Sequence, residues 1–201
     1  MAKDILTLKP EAVWRYFYDL TQIPRPTGQM DEVTRYVFEA GKKLGLETLQ
    51  DEVGNVLIRK PATPGMEKKP IITLQGHVDM VPQKNSDVQH DFAKDPIDAY
   101  IDGEWVTARG TTLGADNGIG VALALAILED NSLKHGPLEA LFTINEEVGM
   151  DGANGLKPGF CKGDILLNID SEVEGNLYIG CAGGIDVNVS LEYKDQETTS
   201  Q

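Results

Sequence analysis

Four short segments of the chain carry side chains able to bind a cation or move a proton. They are Gly76-His77-Val78-Asp79, Gly114-Ala115-Asp116-Asn117-Gly118, Asn145-Glu146-Glu147 and Asp170-Ser171-Glu172. One imidazole among several carboxylates is a mixed nitrogen and oxygen ligand set, suited to zinc and also to manganese or cobalt. Residues two apart on an extended chain face the same way, so His77 and Asp79 can reach one site. Asp79 can then accept the second ring proton of His77 and fix its tautomer. Glu146 and Glu147 would diverge in a regular strand, but at a strand end the chain can turn both inward. One can then ligate while the other handles protons, as hydrolysis by an activated water requires. Taken singly, each segment has a plainer explanation: Asp116 as a turn residue, Asp170 as a helix cap, Glu146-Glu147 as a solvated pair. Only their joint position can decide.

That position follows from the elements between them. Residues 10–20 read as a helix with Val13, Trp14, Phe17 and Leu20 on one stripe, and Ile23-Pro24-Arg25-Pro26-Thr27-Gly28 breaks it. Asp31 opens a second helix through Val33, Tyr36, Val37 and Leu44, ending near Gly45. Two strands, 47–52 and 55–59, turn at Val53-Gly54, and 61–70 is a loop rich in proline, glycine and lysine. Residues 71–75 read as a buried strand, 99–107 as a hairpin around Asp102-Gly103, and 138–144 and 164–169 as two more buried strands. Residues 119–128 are apolar on nearly every face, as in a helix packed deep against a sheet. This alternation predicts an α/β fold: a mainly parallel mixed sheet flanked by helices. Ligands of such sheets gather beyond the carboxyl ends of the strands. Three of the four segments directly follow a strand, and the fourth enters the buried helix. Four placements at one sheet edge favour a shared site over unrelated surface features.

Bulk properties remove other classes. A formal charge of −14 without a basic stripe argues against nucleic acid as a partner. The apolar runs are far too short to span a bilayer, and Met1-Ala2-Lys3-Asp4-Ile5 opens no signal peptide, so no membrane partner is expected. Cys161 and Cys181 are no disulfide framework, which points to a reducing, cytoplasmic setting. The glycines of 110–120 lack the lysine and hydroxyl residue of a phosphate loop.

The stretches 75–85 and 98–120, together with Glu146-Glu147-Val148-Gly149-Met150-Asp151-Gly152 and Gly180-Cys181-Ala182-Gly183-Gly184, resemble the aminoacyl-histidine dipeptidase family, also called Xaa-His dipeptidases or peptidase D. That family belongs to the co-catalytic zinc peptidases, with peptidase V, peptidase T and the aminoacylases. The His-x-Asp and Glu-Glu pairs mark the larger group, and the long stretches between them point to the dipeptidases. The resemblance implies two Zn2+ ions, with Co2+ or Mn2+ as substitutes. His77 and Asp170 would bind one, Glu147 the other, and Asp116 would bridge them. Asp79 would support His77, and Glu146 would act as general base. It further implies a dipeptide substrate with a free amino end and favoured C-terminal histidine, a homodimer, and a cis peptide between Asp116 and Asn117.

In that family a further histidine, late in a much longer chain, completes the second metal site, and an inserted domain adds substrate contacts and the dimer interface. Residues 1–184 are therefore expected to be the N-terminal part of the catalytic domain. Residues 185–201 are expected to start the inserted lid or dimerisation domain, with a polar, frayed end from Lys194. On this reading the chain is a fragment, inactive alone, with the last strands of the sheet missing and apolar surface exposed. His90 and His135, the only other histidines, sit in a polar loop and a turn and read as surface or loop-pinning residues. Trp14, Phe17 and Trp105 read as core or hairpin packing. Cys181, without a neighbouring histidine, does not read as a nucleophile. Two further functions fit the same residues: a non-catalytic zinc-binding module acting through a partner, and an aminoacylase-like amidohydrolase. Glu146 beside Glu147 favours an enzyme, because a binding module has no need of a base.

Overall fold

A computed structural model describes residues 2–171, 173–180, 183 and 187–194. Glu172, Cys181, the expected boundary after Gly184 and residues 195–201 lie outside that set. The chain divides into two compact units, Met1–Ser171 and Glu172–Gln201.

The first unit holds the regular structure. After a 3-10 helix at Ala2–Thr7 come α1 (Glu11–Thr21), α2 (Asp31–Lys43), β1 (Glu47–Gln50), β2 (Val56–Lys60) and β3 (Ile72–His77). The hairpin β4 (Ala99–Asp102) and β5 (Trp105–Ala108) precedes α3 (Ala115–Glu129), β6 (Leu138–Thr143), α4 (Asp151–Gly155) and β7 (Ile165–Asn168). α2 carries Asp31 and Glu32 in its first turn and Lys42 and Lys43 in its last, which complements the helix dipole. It is followed by Gly45 at φ 71°, a left-handed position that glycine adopts without a Cβ penalty. Regular α3 geometry starts only after Asp116 and Asn117, close to the helix start read from the sequence.

The main sheet has the order β1-β2-β6-β3-β7. β2 pairs antiparallel with β1 and β6, whereas β3 runs parallel to both β6 and β7. The sheet is mixed and flanked by helices, as expected, with its pairs divided evenly between the two senses. One face, with Val56, Ile58, Leu74, Ala140 and Phe142, packs on Phe17 and Leu20 of α1, Val33 and Val37 of α2, and Val121 and Leu125 of α3. On the other face the 160–163 loop is held by buried Glu139, which accepts bonds from Lys162 N and Gly163 N. α3 lies close to the sheet because Gly120 offers no side chain: a Cβ there would meet Ile169 O at 2.6 Å.

Two expectations are corrected. β7 was expected to be buried, yet Leu166 is 58% exposed, with Ile165 and Leu167 also exposed. Among the described residues it is the outer strand of the sheet, paired only with β3, which leaves its other edge uncovered. Trp105 was expected to serve in core or hairpin packing but is 78% exposed, on a two-stranded hairpin outside the main sheet. In the second unit the described residues form no helix or strand, and Val187, Val189, Leu191 and Tyr193 are exposed. No helix among the described residues is long and apolar enough to cross a membrane.

Candidate metal centre

Parallel pairing of β3 with β6 and β7 brings three strand ends to the same side of the sheet. Register aligns His77 with Thr143 and Gln75 with Asn168, so the segments 77–79, 144–147 and 169–170 emerge together. α3 enters beside them, tied down by Asn117 Nδ2, which donates to Ile169 O at 2.5 Å, next to Asp170. The Asp116–Asn117 peptide is cis, as the resemblance implied.

His77 is the hub. Its ring is buried, and Nε2 lies 3.0 Å from Asp116 Oδ1, 3.7 Å from Asp170 Oδ1 and 3.9 Å from Glu146 Oε2. Two ligand groups share it, His77 with Asp116 and Asp170, and His77 with Glu146 and Glu147; the donor atoms within each lie within 4.8 Å of one another. His90 and His135 join neither group. His90 packs edge-on against Phe92, while the backbone of His135 pairs with Thr63. The loop-pinning reading therefore fits their surroundings.

Asp79 stands behind the hub, fully buried. His77 Nδ1 lies 3.2 Å from the Asp79 carbonyl oxygen and 3.4 Å from its Oδ1. The carboxylate also accepts from Thr27 Oγ1 at 2.9 Å, from Glu146 N at 3.1 Å and from Glu147 N at 3.4 Å. Asp79 thus orients the imidazole and also clasps the backbone of both glutamates. Thr27 and this second clasp were not foreseen, because no local pattern links residues so far apart in sequence. Asn145 adds another tie: at φ 52° it accepts from Gly28 N and donates to Asp151.

Electrostatics follow from the crowding. Burial works against a charged His77, but the Asp79 hydrogen bond, the charges of Asp170 and Asp79 and the hydrogen bond to Asp116 outweigh it and push the ring up to about 9. Burial, reinforced by Asp116 and Glu146, lifts Asp170 to about 6, against the lowering pull of His77. Burial and the charge of Asp116 also raise Glu147 above the usual carboxylate range. Asp79 moves the other way: burial opposes it, but the bonds from His77, Glu146 N and Thr27 hold it low. A cluster with this much unmet negative charge suits a multivalent cation. Cys161 lies outside it, and burial pushes its thiol up to about 11, away from the thiolate form.

The signature of Peptidase family M20/M25/M40 matches residues 73–184. The chain is 54% identical over 188 residues to the cytosol non-specific dipeptidase of Escherichia coli K12, covering 94% of this chain and 39% of that protein. The aminoacylhistidine dipeptidase of Vibrio alginolyticus shares 54% identity and a TM-score of 0.87, over 90% of this chain and 38% of that one. A tripeptidase of Staphylococcus aureus shares the fold, with a TM-score of 0.68 at 23% identity, over 81% of this chain and 44% of that one. The chain thus spans about two fifths of the length of the two dipeptidases it matches.

Proposed function

The chain belongs to peptidase family M20/M25/M40, and from that premise we propose that it supplies the metal-binding and proton-handling side chains of a zinc dipeptidase. The observation that carries the reading is the convergence of His77, Asp116, Asp170, Glu146 and Glu147 at one end of the sheet. The donor set fits divalent cations: one imidazole nitrogen among carboxylates, crowded enough to raise Asp170 and Glu147. His77 and Asp170 would hold one Zn2+, Glu147 the other, and Asp116 would bridge them. When bound, the ions would polarise the scissile carbonyl and make a water acidic enough to attack near neutral pH.

The remaining steps belong to the chain. Glu146 takes a proton from the attacking water as the new carbon–oxygen bond forms. It returns that proton to the amine nitrogen as the carbon–nitrogen bond breaks, so no charge is left stranded. The Asp79 bond to Glu146 N holds the base at its post. Asp79 also keeps the His77 ring oriented, so that Nε2 faces the site.

The substrate class proposed is a dipeptide with a free amino end, Xaa-His included. The named activities of the Escherichia coli and Vibrio alginolyticus relatives support it. A cytoplasmic homodimer is the setting this reading takes, with residues 185–201 opening a lid or dimerisation domain. The test is hydrolysis of an Xaa-His dipeptide by the zinc-loaded protein that carries this segment. Chelation should abolish turnover and zinc should restore it. Glu146→Gln should lower turnover by about 10²–10⁴-fold with metal content unchanged, whereas Glu147→Gln should lose metal first. Hydrolysis indifferent to chelator would sink the metal reading. Metal binding without hydrolysis of any dipeptide would favour a binding module, and hydrolysis confined to acylated amino acids an amidohydrolase.

A further inference from the structure

We infer that Arg25 is a positioning residue for the metal centre, its guanidinium tying the segment that carries His77 and Asp79 to the segment that carries Asp116. The inference rests on the metal reading above. Arg25 is 2% exposed and lies between Pro24 and Pro26 on a stretch that runs beside residues 78–80. Main-chain bonds from Met80 N to Arg25 O and from Thr27 N to Met80 O join the two stretches. From there the side chain reaches across. Nη1 donates to Val78 O at 2.9 Å and to Asp79 O at 3.2 Å, and Nη2 donates to Gly114 O at 2.5 Å.

A buried guanidinium is usually matched by a carboxylate in a forked pair. Here all three acceptors are neutral main-chain oxygens, and buried Nε has no partner. Burial draws the group down to about 10, with Asp79 and Asp116 opposing that fall, so it stays charged at neutral pH. The acceptors lie close to the donor residues: Val78 and Asp79 are the two residues after His77, and Gly114 lies two residues before Asp116. The space is shaped for it as well, since a Cβ at Gly114 or at Gly118 would stand 2.6 Å from Nη2. A planar fork can hold several carbonyls at fixed separations, which a single ammonium cannot. By this argument the 3.0 Å spacing of His77 Nε2 and Asp116 Oδ1 is set from beneath by Arg25.

The experiment is cobalt(II) titration of the 201-residue chain and its variants, followed by visible absorption, with zinc affinity by calorimetry and folding by circular dichroism. Arg25→Met and Arg25→Lys should each weaken binding about 10–100-fold, as loss of a partner behind metal ligands does, and should change the cobalt spectrum. Gly118→Ala keeps the guanidinium but pushes on it, and should weaken binding by a smaller factor with a similar spectral change. If Arg25→Met does not fold, Arg25→Lys and Gly118→Ala decide. Folded variants with wild-type affinity and spectrum, or full rescue by lysine, would overturn the inference while the metal reading stands. A wild-type chain that binds neither cobalt nor zinc would overturn both.

Discussion

The sheet gathers carboxylates at two places, and their surroundings are opposite. At one, Glu139 is 2% exposed and accepts from Arg59 Nε at 2.8 Å, Thr73 Oγ1 at 3.1 Å, Lys162 N at 2.8 Å and Gly163 N at 3.0 Å. Burial alone would raise this group, but Arg59 and the other donors hold it below its usual range. At the other, Asp116, Glu146, Glu147 and Asp170 face one another around a single imidazole, and Asp170 and Glu147 are raised. A buried acid that is fully satisfied is part of the scaffold. Burial and neighbouring like charge leave Asp170 and Glu147 without such compensation. Burial does not separate structure from function here; the balance of partners does.

Substitutions that remove charge should separate the two places. Glu139→Gln keeps the shape but strips the anion facing Arg59. Breaking a buried pair costs about 3–5 kcal/mol, and the lower end is expected because Glu47 still faces Arg59. Urea unfolding should report that loss, with zinc affinity unchanged. A stability change near zero would mean that the Glu139 cluster is no scaffold.

Asp170→Asn is the mirror experiment. In the metal-free chain it removes the cost of burying the charge and the repulsion from Asp116 and Glu146, which together outweigh the lost attraction to His77, so stability should hold or rise slightly, while zinc affinity falls. A loss of stability as large as that for Glu139→Gln would erase the distinction between the two places.

The smallest expected effect is in pH. His77 binds its proton more tightly folded, at about 9, than at its ordinary value of 6.5. In the metal-free chain that contribution to stability is complete below about pH 6.5 and is lost as pH rises through 9. Asp79 and Glu139 are held low and are ionised throughout this window, so they do not contribute to the slope. With metal the sign reverses, because the cation takes the place of the proton. Zinc affinity should therefore rise over the same window, and binding near pH 7 should release about one proton, measurable by calorimetry in buffers of different ionisation enthalpy. Proton-neutral binding would show that His77 is not displaced from its charged form.

Much of this arrangement can be read along the chain, because it rests on local patterns. Apolar spacing marks α1 and α2, Asp102-Gly103 marks the hairpin, and the continuous apolar run marks α3. The short α4 escaped notice, since its five residues, Asp-Gly-Ala-Asn-Gly, carry no helical stripe and are held instead by Asn55 and Ile144. Arg25 escaped for a different reason. Between two prolines it reads as part of a helix break, and nothing nearby announces a buried cation.

What the sequence determined by itself is the inventory of chemistry and the local conformation around it: His77, Asp79, Asp116, Glu146, Glu147 and Asp170, each at the edge of a strand or helix. Those properties depend on side-chain type and short-range periodicity. Only the tertiary structure decided that β6 sits between β2 and β3, that Asp79 clasps both glutamates, and that Arg25 reaches Gly114. These contacts join residues far apart in the chain. They form when apolar faces pack and most buried donors find acceptors, a condition on the whole fold rather than on any one segment.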